Sequence, residues 1–273
     1  MLYELERKNY WLLEPMLAGG FQFPEVSAVI DSINSGWVVT NDPKHPASAL
    51  LWAEGLGGFF LLGDETNKSF LHALDYFIDY RLVDSWFEVA GMHEGWNNVI
   101  EQHFARRKVN KSTQLIYKWH TQDQIDNDVR AAGAPKTSDS PVQIEQLTAE
   151  SLSSGLMKNL DFVESELLGF WGSLNQFMQH GVAYCALQED RIVSICYSGF
   201  VARSTHTLGV KTLEPYRQQG LAYWTAKACI QGLRDKKLYP YWDCSSGNEA
   251  SWRLAQKLGF RKAAEYNLYS IEK

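Results

Sequence analysis

Short runs with the alternating spacing of β-strands are separated by longer runs with helical spacing throughout the C-terminal half of the chain. The alternating runs predict strands over residues 142–147, 182–188, 192–201, 205–212, 239–245 and 266–271. The longer runs predict helices over residues 151–160, 163–180 with a break around 169–172, 221–237 and 249–258. This order of strands and helices indicates an α/β domain with a mixed sheet.

The N-terminal half repeats the same order of elements. Its pattern predicts strands over residues 37–41, 49–53, 58–62, 86–90 and 113–119, and helices over 67–82 and 93–104. Trp96 lies eight residues before Phe104, and Trp252 lies eight residues before Phe260. In both cases the tryptophan is on a predicted helix that follows a short aromatic strand. These matches favour a diverged tandem repeat, and the alternative is two unrelated α/β domains, because alternating helices and strands are common.

A segment without periodicity separates the two halves. Residues 131–141 are mostly small or polar and include Pro135 and Pro141, a composition typical of linkers. We therefore expect two domains, an N-terminal accessory domain over residues 1–133 and a C-terminal domain over residues 140–273.

Composition and charge narrow the class of partner. The chain has 273 residues, 45% of them hydrophobic, and a net charge of −6. This charge disfavours binding to nucleic acid or to anionic membranes, which attract basic surfaces. The four cysteines form no Cys-x-x-Cys pair and the histidines lack metal-site spacing, so we expect reduced thiols and no metal. The N-terminus lacks a signal-peptide pattern and no apolar run is long enough to span a membrane, so we expect a cytoplasmic protein.

The most informative stretch runs from Val210 to Ala222 and reads Val-Lys-Thr-Leu-Glu-Pro-Tyr-Arg-Gln-Gln-Gly-Leu-Ala. It predicts a strand, a tight turn and the first turn of a helix. Such a turn directs several backbone N–H groups at one point, and a helix N-terminus with free amides favours anions. Gly220 lets the backbone approach a ligand closely. The chain contains neither Gly-x-x-x-x-Gly-Lys-Ser/Thr nor Gly-x-Gly-x-x-Gly, so the two familiar phosphate loops are excluded.

The equivalent turn of the N-terminal half is acidic. The four residues from Gly63 to Thr66, Gly-Asp-Glu-Thr, lie between the strand that ends near Leu62 and the helix that starts near Asn67. Their carboxylates would repel an anion. We therefore expect a single cofactor site in the chain.

Residues 140–273 resemble the GNAT superfamily of N-acetyltransferases, which use acetyl-CoA. The resemblance rests on motifs that occur in the order found in that family: Val210-x-Thr212, Tyr216-Arg217-x-x-Gly220-Leu221-Ala222, Asn248, Ser251 and Gly259-Phe260. The segments Trp171-Gly172-Ser173 and Tyr241-Trp242-Asp243-Cys244 resemble a bacterial branch with an extra N-terminal domain. The resemblance implies a C-terminal GNAT acyl-CoA N-acyltransferase fold, preceded by a GNAT-like or degenerate N-terminal α/β domain.

The resemblance also implies where coenzyme A would bind. The backbone of Val210, Lys211 and Thr212 would pair with the pantetheine arm like an added strand. The pyrophosphate would be held by the backbone amides of six consecutive residues, Arg217, Gln218, Gln219, Gly220, Leu221 and Ala222. Asn248 would form a hydrogen bond with the pantetheine end. The implied reaction is direct attack of an amine on the thioester, without an acyl-enzyme.

Two catalytic positions depart from the family pattern. Asp243 stands where many relatives have a glutamate that helps to deprotonate the amine, so the resemblance implies a base there. The alternative is an aspartate that orders the turn before the next helix. Ala255 stands where many relatives have a tyrosine that protonates the leaving thiolate. This leaves the acid unassigned, with three candidate stand-ins: Tyr216, Tyr223 and Tyr241.

Four other residues are weaker candidates. His206 begins the strand that leads to Val210, and we expect it at an edge or on the surface rather than in a cleft. Trp171, Trp242 and Trp252 are more often core residues than pocket walls. Among them Trp171 is the best candidate for a wall, because in this fold the loop between the first helices usually covers the acceptor site.

These observations predict an acetyl-CoA-dependent N-acetyltransferase that acts on a primary amine, most simply that of a small molecule. The acidic balance favours a cationic acceptor. Two alternatives stay open. One is a non-catalytic regulatory module that binds coenzyme A, for which Ala255 is the main support, and the other is a protein N-acetyltransferase whose first half docks a partner. Assembly as a homodimer is also left open.

Overall fold

The computed structural model describes residues 1–18, 22–119 and 142–273. The predicted linker over residues 131–141 lies outside the described residues, so its position as a domain boundary stays a prediction.

The described residues divide into two compact units. One unit consists of residues 1–115 with residues 264–273, and the other consists of residues 116–263. The end of the chain therefore belongs to the unit that is built mainly from the N-terminal half. Within the described part of the chain, no helix combines the length and apolar character needed to cross a membrane.

Helices and strands alternate along both halves of the chain. Up to residue 119 they are β1 (Tyr3–Glu4), a 3₁₀ helix (Arg7–Leu17), α1 (Pro24–Ile30), β2 (Gly36–Thr40), β3 (Ser48–Ala53), a 3₁₀ turn (Glu54–Leu56), β4 (Gly58–Gly63), α2 (Lys68–Arg81), β5 (Trp86–Gly91), α3 (Gly95–His103) and β6 (Val109–Trp119). From residue 142 they are β7 (Val142–Gln146), α4 (Ala149–Ser153), α5 (Leu160–Leu168), α6 (Leu174–His180), β8 (Ala183–Gln188), β9 (Arg191–Ala202), β10 (Thr205–Thr212), a 3₁₀ turn (Glu214–Tyr216), α7 (Leu221–Asp235), β11 (Tyr239–Ser245), α8 (Glu249–Lys257) and β12 (Phe260–Glu272).

Most predicted elements are present, and one prediction is wrong. The helix predicted over residues 151–160 is two separate helices, because α4 ends at Ser153 and α5 begins only at Leu160. Thr148 starts α4 early by accepting a hydrogen bond from the N–H of Ser151 at 3.1 Å. Asn159 then adopts the left-handed conformation, with φ of 74°, which a continuous helix does not allow.

The first unit contains a mixed sheet in the order β1-β2-β3-β4-β5-β12. Its neighbouring strands are antiparallel except β4 and β5, which are parallel and connected by α2. Phe70 of α2 and Trp96 of α3 are fully buried in its core, together with Tyr269 of β12. The C-terminal strand therefore completes both the sheet and the core of this unit.

The second unit has the same arrangement. Its sheet runs β7-β8-β9-β10-β11, with antiparallel neighbours except β10 and β11, which are parallel and connected by α7. Buried residues recur on α7 at Leu221, Thr225, Cys229 and Gly232, a helical spacing that turns one face of α7 toward the sheet. The two units thus share the order of strands and connecting helices on which the tandem-repeat prediction rests.

A wedge opens between β10 and β11. The two strands pair only from Thr205 with Tyr239 to Thr207 with Tyr241. On its other side β10 stays paired with β9 as far as Thr212, with an irregularity between His206 and Leu208. From residue 208 onward, the edge of β10 that faces β11 is therefore not covered by that strand.

Candidate active site

A cleft occupies the wedge between β10 and β11. Its volume is about 680 Å³, within the range of small-molecule sites, and its walls come from β10, the following turn, α7, β11 and α8. The lining includes most of the predicted site residues: Val210, Lys211, Thr212, Arg217, Gln218, Gly220, Leu221, Ala222, Asp243 and Asn248. Gln219 is not part of the lining, and its side-chain amide donates to the carbonyl of Pro215 at 3.4 Å.

The turn between β10 and α7 leaves a series of backbone amides free. Gln218 and Gly220 have positive φ angles of 62° and 77°. Among the described residues, none accepts a hydrogen bond from the backbone N–H groups of residues 218–222. Gly220 is the N-cap residue of α7 and supplies no side chain to satisfy them. These amides and the positive end of the helix dipole together could hold an anion.

The backbone conformation at position 220 favours glycine, whereas the space around that position would admit a side chain. An added Cβ would meet no atom within 4 Å, so the position is open, but its φ of 77° is unfavourable for other residues. Arg217 anchors the turn to the strand, because its Nε donates to the carbonyl of Thr212 at 3.3 Å. The turn is thus both held in place and accessible from the cleft.

The end of β10 is fixed from the side opposite to the cleft. Ser194 of β9 is fully buried, and its hydroxyl lies 2.8 Å from Oγ1 of Thr212 and 3.2 Å from the carbonyl of Lys211. The open edge of β10 is therefore supported by β9 and offers its backbone groups to an added strand.

The opposite wall of the cleft is formed by β11 and the start of α8. Asp243 is partly buried on β11, and Asn248 is the N-cap residue of α8. Oδ1 of Asn248 accepts a hydrogen bond from the N–H of Ser251 at 3.1 Å, and the hydroxyl of Ser251 accepts another from Nε1 of Trp242 at 3.1 Å. Because Oδ1 is engaged in the cap, Asn248 has its side-chain N–H groups to offer to a ligand.

The structure narrows the choice of residue that could protonate the leaving thiolate. Ala255 is fully buried and has no ionisable group. Of the three candidate stand-ins, Tyr216 and Tyr223 line the cleft, whereas Tyr241 is buried and does not.

His206 is not at an edge or on the surface, contrary to the expectation from the sequence. It is 2% exposed, and its Nδ1 lies 2.9 Å from the hydroxyl of Ser198. Burial, assisted by the nearby charge of Lys236, lowers the pKa of His206 to about 4. This histidine is therefore a neutral core residue at neutral pH.

Trp171 does not form a pocket wall either. It is 2% exposed, packs edge-on against Phe177 and donates from Nε1 to the carbonyl of Ser198 at 2.9 Å. Trp171 is thus a core residue, as the sequence favoured for all three tryptophans, and Trp242 rather than Trp171 is the one of the three that lines the cleft.

Several lining residues were missed by the sequence interpretation. On α8 they are Ala250, Leu254 and Lys257, which repeat at the spacing of one helix face. That spacing, counted from Ala250, is the signal that could have identified them.

Comparison with known proteins agrees with this geometry. A family model described as GNAT acetyltransferase matches residues 15–269. The chain is 26% identical over 270 residues to YdfB of Bacillus subtilis (strain 168), described as an uncharacterized N-acetyltransferase, with 98% of each chain covered.

Two solved structures share the fold. One is a GCN5-related N-acetyltransferase-like protein from Streptococcus suis, with a TM-score of 0.66, 20% identity, and coverage of 97% of this chain and 99% of that one. The other is a tandem GNAT protein from the clavulanic acid biosynthesis pathway, with a TM-score of 0.64, 10% identity, and coverage of 100% of this chain and 98% of that one. The likeness extends over both halves, so the predicted GNAT fold with a GNAT-like N-terminal part is confirmed. Since the family model spans residues 15–269, the chain belongs to the GNAT acetyltransferase family and is an N-acetyltransferase.

Proposed function

We propose that this protein transfers the acetyl group of acetyl-CoA to the primary amine of a small molecule, by direct attack of the amine on the thioester. The observation that carries the proposal is the cleft between β10 and β11, in which the open strand edge leads directly to the free amides of residues 218–222. A long cofactor matches this arrangement, because its pantetheine arm would follow the strand edge and its pyrophosphate would reach the amides.

In the proposed complex, the pantetheine arm pairs with the backbone of Val210, Lys211 and Thr212. The pyrophosphate lies over the free amides, and Asn248 donates from its side-chain amide to a pantetheine carbonyl. Charge supports this placement, because Arg217 and Lys257 line the cleft and neither forms an ion pair with a carboxylate among the described residues. The cleft thus has basic side chains although the chain carries a net charge of −6.

Asp243 is the proposed base. In the reaction the amine nitrogen bonds to the thioester carbon, the C–S bond breaks, and sulfur leaves as a thiolate. Asp243 receives a proton from the amine, either directly or through a water molecule. The developing oxyanion is placed against backbone N–H groups at the open edge of β10. Since Ala255 supplies no proton, the thiolate takes one from water or from a tyrosine of the cleft.

The acceptor is proposed to be cationic because the chain has a net charge of −6. A carboxylate outside the cleft lining, that of Glu166, lies beside β10 and is paired with a lysine. The side chain of Glu166 is 22% exposed, its carboxylate lies 3.7 Å from Nζ of Lys211, and it accepts a hydrogen bond from the hydroxyl of Tyr197 at 3.2 Å. Burial and the charge of Glu166 raise the pKa of Tyr197, so this hydroxyl stays a donor. Tyr197 in turn lies over Gly209 of β10, where an added Cβ would come within 2.6 Å of the ring. This arrangement holds a carboxylate beside the strand on which the cofactor is placed.

The location is proposed to be cytoplasmic. All four cysteines are unpaired, and three of them are buried. Free thiols fit a reducing compartment.

The proposal is tested by release of free thiol from acetyl-CoA in the presence of a panel of amines, from simple monoamines to polyamines and aminoglycosides, with an N-terminal peptide and a lysine peptide included. We expect acetyl-CoA-dependent turnover with a small amine and little with either peptide. Turnover with a peptide alone would favour a protein N-acetyltransferase. Coenzyme A binding without turnover on any amine would contradict the proposed reaction.

A further inference from the structure

A second cavity lies within the first unit. Its volume is about 320 Å³, at the lower end of the range for small-molecule sites. Two tryptophans, Trp37 of β2 and Trp52 of β3, belong to its lining, and none of its lining residues is shared with the cleft between β10 and β11. We refer to this cavity as the indole cavity.

The two indole rings form one wall of the indole cavity. Trp37 and Trp52 are opposite each other on the antiparallel strands, with ring centroids 6.2 Å apart and ring planes 20° apart. The ring of Phe59 contacts both, at centroid distances of 5.6 Å and 4.6 Å. Both tryptophans stay partly exposed. The wall is therefore held in place by packing and is still accessible to a ligand.

In the described part of the chain, no cationic side chain lies over either of these two rings. Three other tryptophans do have a lysine or an arginine over the ring, namely Trp119, Trp224 and Trp252. The negative face of an indole attracts a cation within about 6 Å of the ring centre. The rings of Trp37 and Trp52 can therefore bind a cation that comes from solution.

The rim of the indole cavity carries more negative than positive charge. Its lining includes three exposed glutamates, Glu4, Glu6 and Glu54, and one exposed arginine, Arg7. Glu6 is matched by Lys8, whose Nζ lies 2.6 Å from its carboxylate. Among the described residues, Glu4, Glu54 and Arg7 form no ion pair. Even with Lys8 included, three carboxylates stand against two cationic side chains, so the rim favours a positively charged ligand.

The buried part of the lining is apolar or neutral. Leu5 and Tyr10 are 2% and 3% exposed. Burial raises the pKa of Tyr10, the charge of Arg7 opposes this effect and the charge of Glu4 adds to it, so the hydroxyl stays protonated at neutral pH. A ligand in this cavity would therefore meet alkyl and aromatic surface at its base and carboxylates at its rim.

We propose that the indole cavity binds a small alkylammonium ion, of the quaternary ammonium class. Its alkyl groups would contact the indole rings and Leu5, and its charge would be compensated by the rings together with Glu4 and Glu54. A bare metal ion does not fit, because the described residues contain no group of three or more side chains placed to bind a metal. This inference goes beyond the proposed function, since no residue of the indole cavity is assigned to acetyl transfer.

An NMR titration of the full-length protein tests the inference, with the indole N–H signals as the readout. Choline is the probe, and 3,3-dimethylbutan-1-ol is its uncharged counterpart, because a carbon atom replaces the nitrogen without changing the shape. We expect choline to shift the signals of Trp37 and Trp52 and to bind at least about tenfold more tightly than the alcohol. Equal affinity for the two compounds would refute the inference, because the cavity would then bind alkyl groups without regard to charge.

Two pairs of variants locate the site. Trp52→Leu keeps an apolar side chain and should weaken choline binding about tenfold, to the level of the alcohol. Trp11→Leu is the matched control, since Trp11 is 62% exposed in the same unit and lies outside the lining. Glu54→Gln should weaken choline binding by roughly twofold to fivefold and leave binding of the alcohol unchanged. Glu14→Gln removes the same charge from an exposed glutamate outside the lining and should change neither affinity.

The glutamate variants decide the matter if Trp52→Leu does not fold, which circular dichroism would show. Equal losses in Trp52→Leu and Trp11→Leu, or no effect of Glu54→Gln, would place choline elsewhere and overturn the inference. A lack of saturable choline binding to the wild-type protein would overturn it as well. None of these results bears on the proposed acetyl transfer, because choline has no amine that could be acetylated and the titration contains no coenzyme A.

Discussion

The two units contain the same strand–helix–strand connection, but among the described residues only the second opens a wedge between its parallel strands. In the second unit, β10 leads through a turn with free amides into α7, and β10 separates from β11 after Thr207. In the first unit, β4 leads into α2 and stays paired with β5 as far as Leu61 with Gly91, close to the end of the strand. The first unit therefore has no comparable wedge among its described residues.

The turns differ in chemistry as well as in shape. The side chain of Asn67 caps α2 by accepting from the N–H of Phe70 at 3.0 Å. Asp64 accepts from the hydroxyl and the N–H of Thr66 at 2.7 Å and 2.9 Å, and these hydrogen bonds lower its pKa. An ionised carboxylate and a filled cap thus occupy the place where α7 offers bare amides. The fold thus places a helix N-terminus at the same point in both units. The few residues of the preceding turn determine whether that N-terminus can bind an anion.

The largest expected effect comes from placing an acid in the turn of the second unit. Gly220→Glu should abolish measurable binding of coenzyme A, because a carboxylate among the free amides repels the pyrophosphate. Gly57→Glu is the matched control, since Gly57 has a φ of 62° and, like Gly220, no atom within 4 Å of an added Cβ. It should cost similar backbone strain without changing affinity. Retained binding in Gly220→Glu would refute the cofactor placement.

The next effect concerns Asp243, the proposed base on β11 of the second unit. Asp243→Asn should lower kcat by roughly 10²–10⁴, the usual contribution of a general base, with little change in KM for acetyl-CoA. Steady-state kinetics would measure both constants. Asp161→Asn, an exposed residue on α5, is the control and should behave like the wild type. An unchanged kcat in Asp243→Asn would point to a structural role for this aspartate.

A smaller effect concerns stability, because each parallel strand pair contains an ionisable group that is buried, as is His206, or partly buried, as is Glu88. His206 of β10 has its pKa lowered from 6.5 to about 4, so unfolding takes up a proton as the pH falls between these values. The free energy of unfolding should therefore decrease by roughly 3 kcal/mol over this range. In the first unit, burial raises the pKa of Glu88, which acts in the opposite direction. His206→Gln should flatten the acid limb of chemical denaturation measured against pH, and an unchanged limb would contradict this account.

The last prediction is that removing the acidic residues from the turn of the first unit does not create a second binding site for coenzyme A. Removing both acids from the first turn with Asp64→Asn and Glu65→Gln should leave the calorimetric stoichiometry at one coenzyme A per chain. Asn67 would still cap α2, and β4 would still be paired with β5, so no second site would open. A second binding event in this variant would mean that charge alone had closed the first unit.

Much of the fold was predictable because it depends on local spacing. The bounds of Thr205–Thr212 and Tyr239–Ser245 agree with the alternation of apolar residues, and the helix break near Gly169 was visible in the sequence. The helix predicted over residues 151–160 was wrong, because its apolar residues did not show the left-handed Asn159 or the early cap at Thr148. The N-terminal segment of β1, a 3₁₀ helix and α1 was not predicted, since its pattern is short and interrupted.

The sequence by itself determined the family, the turn with its free amides and the difference in charge between the two turns, because these depend on residues that are neighbours along the chain. Only the tertiary structure decided the rest. It placed His206 and Trp171 around Ser198 in the core, brought Lys257 of α8 over Tyr223 of α7, and moved the last strand into the first unit. These outcomes depend on contacts between residues far apart in the chain, and such contacts are set by packing and burial rather than by local pattern.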